Sequence, residues 1–249
     1  MKTKEGKSTI DIGQCDGEGL IELSVSKAKR WRQCQTAFKY KYVDKLRPVR
    51  KARPLTLGSL VHSCLEARAT GANWIDEIKK FKAGEWSKVF EEEKVELGDI
   101  PGDAFRIMRG YHYYYLESDK RYKTIAAEVP FRMRIPGTHI VLVGIIDLIV
   151  LDTTDNSIWC IEHKTVKKDI PTEEFKTTDF QTTIYLTVME HLAPYLNYEP
   201  GQVKGVILDY LKTKAPTVPE VLKNGTLSKR KISCDRYTYM ECIKKVGGD

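Results

Sequence analysis

The sequence predicts a mixed α/β domain in which helices cover a central sheet. Three apolar, β-branched segments follow one another between Ile125 and Val166, and a fourth spans Gly201 to Lys212. Helical segments precede them, and another lies before the fourth, a pattern that suits a sheet with helices packed on it. The composition is 41% apolar and 30% charged, ordinary for a soluble globular chain.

The elements justify themselves in order. Residues 1–20 are polar and glycine-rich and read as a flexible tail. "LSVSKAKRWRQCQTAFKYKYV" reads as a helix capped by Ser24 or Ser26. Trp31, Cys34 and Phe38 recur in it at helical spacing, with Lys27, Lys29, Arg30 and Arg32 around them. That pattern is a core stripe under a solvated basic face, or a basic side turned to DNA. "LRPVRKARP" is a linker broken by prolines, and "TLGSLVHSCLEARAT" a short helix. "NWIDEIKKFKAGEWSKVFEEEK" is helical with a break near Gly84, and "DAFRIMRGYHYYYLESDKRYK" reads as another helix. The tyrosines of the latter cannot all face one side; some pack in the core and some are free to stack on bases.

"IAAEVPFRMRI", "IVLVGIIDLIVLD" and "SIWCIEHKTV" read as strands. "DFQTTIYLTVMEHL" is a helix capped by Thr178 or Asp179, and "GQVKGVILDYLK" is a further strand. A basic, proline-containing loop and a final helix, "RYTYMECIKKV", follow.

The formal net charge is +7, which favours polyanionic partners weakly. None of the six cysteines forms a C-x-x-C pair, so a zinc ribbon is not expected. No signal-peptide core, membrane-length apolar run or phosphate-binding G-x-x-x-x-G-K-[ST] loop is found. The expectation is a soluble, cytoplasmic protein with free thiols.

Within the apolar strands stand three charges, Asp147, Glu162 and Lys164. An unpaired buried charge costs several kcal/mol or more, so such groups are paired, neutralised or bound to metal. Centring the hairpin turn between Thr154 and Asp155 sets Leu151 opposite Ile158 and Ile149 opposite Cys160, and then Asp147 opposite Glu162. Directly opposed residues share a face, as do Glu162 and Lys164, two apart on one strand. Two carboxylates so placed repel unless one is protonated or a cation lies between them. Mg²⁺ or Mn²⁺, a hard ion with oxygen ligands, fits. A structural ion-pair cluster at a sheet edge is the alternative.

The pattern D-(x)n-E-x-K across a hairpin, here Asp147 and Glu162-His163-Lys164, resembles the PD-(D/E)xK nuclease superfamily. "GSLVH" (Gly58 to His62) is similar to the G-x-x-x-H helix of its RecB-type branch, and "QTTIY" (Gln181 to Tyr185) to its Q-x-x-x-Y helix. The Leu23–Val43 segment resembles the branch's opening motif, and all four pieces occur in family order. The branch includes phage exonucleases and CRISPR-associated RecB-like nucleases.

The resemblance implies a restriction-endonuclease-like core, a central mixed β-sheet flanked by helices. It implies one nuclease domain at residues 21–249, with a helical insertion at about 65–122 and a basic C-terminal segment at about 212–249. By resemblance, His62, Asp147, Glu162 and the backbone carbonyl of His163 ligate Mg²⁺ or Mn²⁺. Gly58, one turn before His62, leaves room for its helix to approach the sheet. Lys164 would orient the attacking water or stabilise the phosphate, and Gln181 and Tyr185 would hold the scissile strand or the lysine. Glu128 stands where relatives often carry an acid; a surface salt bridge is the other reading. The partner is DNA, held by basic residues such as Lys27, Arg30, Arg32, Arg50, Lys51, Lys229 and Arg230, with a homo-oligomer or a recombination protein as further partners.

The sequence departs from the branch at residue 35 and in its cysteines, among other places. Gln35 replaces the proline usual after Cys34, and only Cys234 and Cys242 stand near the C-terminus. An iron–sulfur cluster, which takes four thiolates, is therefore not expected. The activity implied is a metal-dependent DNA exonuclease of phage or prokaryotic recombination, repair or DNA processing. A structure-specific endonuclease and an inactive DNA-binding module are the alternatives.

Overall fold

The computed structural model describes residues 7–48, 52–116, 120–167, 170, 179–213, 220–228 and 236–246. The chain forms two compact units. The first comprises Met1–Lys51, Arg121–His163 and Ile170–Asp209; the second comprises Ala52–Lys120, Lys164–Asp169 and Tyr210–Asp249.

Among the described residues the sheet has six strands: β1 (Ile10–Ile12), β2 (Ile21–Leu23), β3 (Tyr122–Arg134), β4 (Ile140–Asp152), β5 (Ser157–Val166) and β6 (Val203–Lys212). Their order is β1-β3-β4-β5-β6, with β2 also paired to β4. The short strands β1 and β2 run parallel to their partners, whereas β3–β4 and β4–β5 are antiparallel, so the sheet is mixed. The observed architecture is the expected central mixed sheet with flanking helices. The segment read as a flexible tail is corrected at Ile10–Ile12, which pairs with Phe131–Met133. Three residues are too few to show an alternating pattern.

In the first unit the leading helical segment is interrupted. Helix α1 (Val25–Gln33) starts at Ser24, whose hydroxyl accepts the Lys27 N–H. It stops at Cys34, whose extended backbone (φ −164°) lets the thiol cap α2 (Gln35–Phe38). A π-helical turn, Lys39–Val43, follows. The single helix expected over residues 23–43 is therefore two helices and a π-turn. Helix α7 (named after the helices of the second unit; Phe180–Leu192) packs Ile184, Tyr185, Val188 and Leu192 into one apolar core with Ile149 and Cys160 of the sheet. Asp179 stands at its N-cap position, but its carboxylate pairs with Lys29 at 2.8 Å and makes no cap bond. Gly144 in β4 is required by packing: a Cβ there would meet the Phe131 ring at 2.6 Å.

The second unit centres on α3 (Arg53–Ala69), α4 (Trp74–Ala83), α5 (Glu91–Leu97) and α6 (Ile100–Tyr115). Leu57, Val61 and Cys64 of α3 join Trp74 of α4 and Ile100 and Met108 of α6 in a second core. Helix α4 ends at Gly84, as the sequence predicts. The helix read from Thr56 begins earlier, because Pro54 suits the first helical turn, where its missing N–H costs nothing. A further helix, α8, spans Arg236–Lys245.

Candidate active site

The site is built from the β4–β5 hairpin outward. Leu151 pairs with Ile158, Ile149 with Cys160 and Leu148 with Ile161, the register the sequence predicts. The turn between Asp152 and Ser157 is held by its own side chains. Asp152 accepts from the N–H and hydroxyl of Thr154 at 3.0 and 2.7 Å, and Asp155 accepts from the N–H and hydroxyl of Ser157 at 2.9 and 2.6 Å. Arg121 donates to fully buried Asp152 through Nε at 2.8 Å and Nη2 at 2.5 Å. The Arg121 guanidinium, then the Thr154 donors, hold the Asp152 carboxyl well below its ordinary range against the opposing effect of burial.

One rung beyond Leu148–Ile161, counting places Asp147 across from Glu162. There the Asp147 carboxylate itself accepts the His163 N–H at 2.9 Å. On the other side, the pairs Ala127–Leu148 and Val129–Ile146 bracket Glu128 and set it across from Asp147. A Glu128 carboxylate oxygen lies within 4.8 Å of one on Asp147. Glu128 is held at φ +49°, a left-handed conformation that side-chain-bearing residues adopt at a cost of about 1–2 kcal/mol. Such strain gathers where a side chain must be aimed.

Helix α7 meets this face of the sheet. Gln181 donates to Glu162 Oε1 at 2.6 Å, and Glu162 is only 5% exposed. Tyr185 is buried, donates its hydroxyl to the Ile145 carbonyl at 2.9 Å and packs edge-on against Phe131. Burial, then the charge of Glu162, with Asp147 a smaller contributor, push the Tyr185 hydroxyl far above its ordinary pKa. Both acids therefore act on the same hydroxyl. Gln181 thus bonds to the acid, and Tyr185 anchors the β4 backbone two residues before Asp147.

Buried His163 lies between two carboxylates, with Nδ1 3.8 Å from Asp147 and Nε2 3.7 Å from Asp209 of β6. Sequence reasoning missed Asp209. Its signal was the one that marked Asp147: a single acid inside an apolar strand, "VILDYL".

His62 and Lys164 belong to the second unit. His62 is half-buried on α3, one turn after Gly58. A Cβ at Gly58 would stand 3.0 Å from Thr165 Oγ1, so the glycine admits α3 close to the end of β5, as expected. Lys164 follows Glu162 by two residues on β5 and shares its face.

Of the basic residues assigned to DNA, Lys27 and Arg30 are half-buried and Arg32 exposed on α1. Arg50, Lys51, Lys229 and Arg230 lie outside the described residues, as do Thr178 and Cys234. Cys34 is exposed and Cys242 is buried on α8.

The carboxylate oxygens of Glu128 and Asp147, within 4.8 Å of each other, suit a hard divalent cation, which prefers oxygen ligands, over a soft one. Among the described residues, no helix is long and apolar enough to cross a membrane. A family model for the PD-(D/E)XK nuclease superfamily matches residues 22–239. No curated protein matches the chain.

Proposed function

The chain belongs to the PD-(D/E)XK nuclease superfamily, which implies nuclease activity on DNA aided by divalent metal, and from that premise we propose a cytoplasmic Mg²⁺- or Mn²⁺-dependent DNA exonuclease of the RecB-type branch. Its setting would be phage or prokaryotic recombination, repair or DNA processing. The observation that supports this reading is the approach of a Glu128 and an Asp147 carboxylate oxygen within 4.8 Å of each other, with Glu162 on the adjoining strand β5.

In this reading Asp147 and Glu162 supply oxygen ligands, Glu128 adds a third carboxylate, and the His163 carbonyl a further oxygen. His62 contributes a nitrogen ligand by its resemblance to the G-x-x-x-H helix. A cation so held would polarise the scissile phosphate and lower the pKa of the attacking water. Gln181 fixes the Glu162 carboxylate in one orientation, and Tyr185 fixes the backbone that carries Asp147. Lys164 offers an ammonium to the charge that grows on the phosphate. No base-reading motif is apparent in the sequence, so cleavage should show little sequence preference.

The test uses linear DNA labelled at the 5′ or 3′ end, beside closed circular DNA, with Mg²⁺, Mn²⁺ or EDTA. The expected result is metal-dependent loss of linear DNA with the circle spared, abolished by Asp147→Ala and reduced by Lys164→Ala. Nicking of the circle would favour a structure-specific endonuclease. Wild-type activity unchanged by both substitutions would end the site assignment, and DNA binding with no cleavage under any metal would leave an inactive DNA-binding module.

A further inference from the structure

We propose that residues 25–47 form a stacking platform for single-stranded DNA, which feeds the site described above. The proposal rests on the nuclease reading for its purpose, but on separate observations for its chemistry. The first is charge. This stretch carries eight lysines and arginines against one acid, Asp44, a surplus as large as the +7 of the whole chain.

The second observation is aromatic exposure. Trp31 is 51% exposed and Tyr40 is 52% exposed, and no residue of α1, α2 or the π-turn is buried. The core stripe predicted from Trp31, Cys34 and Phe38 is therefore not a core stripe. The rings contact one another instead: Trp31 meets Phe38 edge-on at 5.1 Å between centroids, and Phe38 meets Tyr42 at 5.1 Å. The ammonium groups of Lys27 and Lys41 lie over the Tyr42 ring at 6.0 and 5.3 Å. Rings left half in water forgo part of the gain of burial, and these stand together within one strongly cationic stretch.

The third observation is position. Lys29 of α1 pairs with Asp179, and two residues later Gln181 reaches Glu162. The platform is thus tied to the start of the helix that orients a catalytic carboxylate. The π-turn at Lys39–Val43 adds a rare backbone form that recurs at functional sites.

These features select single strands. A duplex offers phosphates to lysines but keeps its base faces stacked inside. Only an unpaired strand presents π-faces to exposed rings, with the cations left for its phosphates. An acidic protein surface would satisfy the charge but not the rings.

The experiment measures binding by anisotropy in EDTA, so that nothing is cleaved. The probes are a fluorescein-labelled oligo(dT) of about 20 nucleotides and a duplex of equal length. The expected result is tighter oligo(dT) binding, weakened about five-fold or more by Trp31→Ala and by Tyr40→Ala, with duplex binding and Tm unchanged. Oligo(dT) should also quench wild-type tryptophan fluorescence, and Trp31→Phe should remove that quenching. Lys41→Gln should lower the slope of log affinity against log salt by about 0.7. Equal loss of duplex and oligo(dT) binding, unaltered oligo(dT) binding, or equally effective displacement by polyglutamate would overturn the proposal. Because cleavage plays no part here, loss of the platform leaves the nuclease reading standing, and loss of metal-dependent cleavage leaves the platform standing.

Discussion

Replacing Gln181 by alanine isolates the bond between its side-chain amide and Glu162. That amide donates to Glu162 Oε1 at 2.6 Å, and the acid is 5% exposed, so bulk water cannot readily take the donor's place. A hydrogen bond to a charged group contributes about 1.5–3 kcal/mol net. At 1.36 kcal/mol per tenfold, its loss corresponds to a factor of roughly 10 to 150. Partners one step removed from a metal typically cost 10- to 100-fold in affinity or rate when lost, the same range. The assay is the rate of linear DNA digestion as a function of Mg²⁺ concentration. Gln181→Ala should raise the half-saturating Mg²⁺ by about tenfold or more, with much of the maximal rate recovered at high Mg²⁺. Gln181→Glu should be worse, because it sets a second carboxylate against the first. Unchanged half-saturation and unchanged maximal rate in Gln181→Ala would refute the idea that this bond positions Glu162 for chemistry.

Gly144→Ala places a methyl group 2.6 Å from the Phe131 ring and should destabilise the first unit by about 1–3 kcal/mol, read by urea unfolding, with partial rescue by Phe131→Leu. Asp152 has its pKa depressed below the ordinary 3.8, so its contribution to stability is fully present above that value and is lost progressively as pH falls from there through the depressed value of the folded state. The stability gap between wild type and Asp152→Asn should therefore hold from pH 7 to about 5 and begin to shrink below about pH 4, narrowing steadily with further acidification, as thermal melts across that range would show. Glu128→Gly should be more stable than Glu128→Ala by about 1 kcal/mol, because only the glycine accepts φ +49° without strain, while both lose activity if the carboxylate serves the site.

What the sequence revealed divides by the range of the interactions concerned. The β4–β5 hairpin was legible because alternation and turn chemistry are local: Asp152 with the Thr154 hydroxyl and Asp155 with the Ser157 hydroxyl leave little choice of register. Break points at glycine, such as Gly84, were legible for the same reason. The break at Cys34 was not, because no glycine or proline marks it and helical spacing continues across it. Spacing in that segment also suggested burial, whereas its rings pair with each other on the surface. Strand β1 depends on Phe131–Met133, more than a hundred residues away in the chain, and so left no local trace. Asp209 reaches His163 only after the chain has passed through α7, and the strain at Glu128 arises from the sheet around it rather than from the residue's own preference.

The side-chain-locked turn between Asp152 and Ser157 bears on how this chain can vary over evolutionary time. Side chains alternate with a period of two, so inserting or deleting a single residue there would turn Glu162 to the far face of β5. A change of two residues would keep the face but slide the acid along its neighbour. Length drift should therefore be rare in this loop among homologues that retain activity, and far more common in the α4–α5 connection around Gly84, where no catalytic register is at stake.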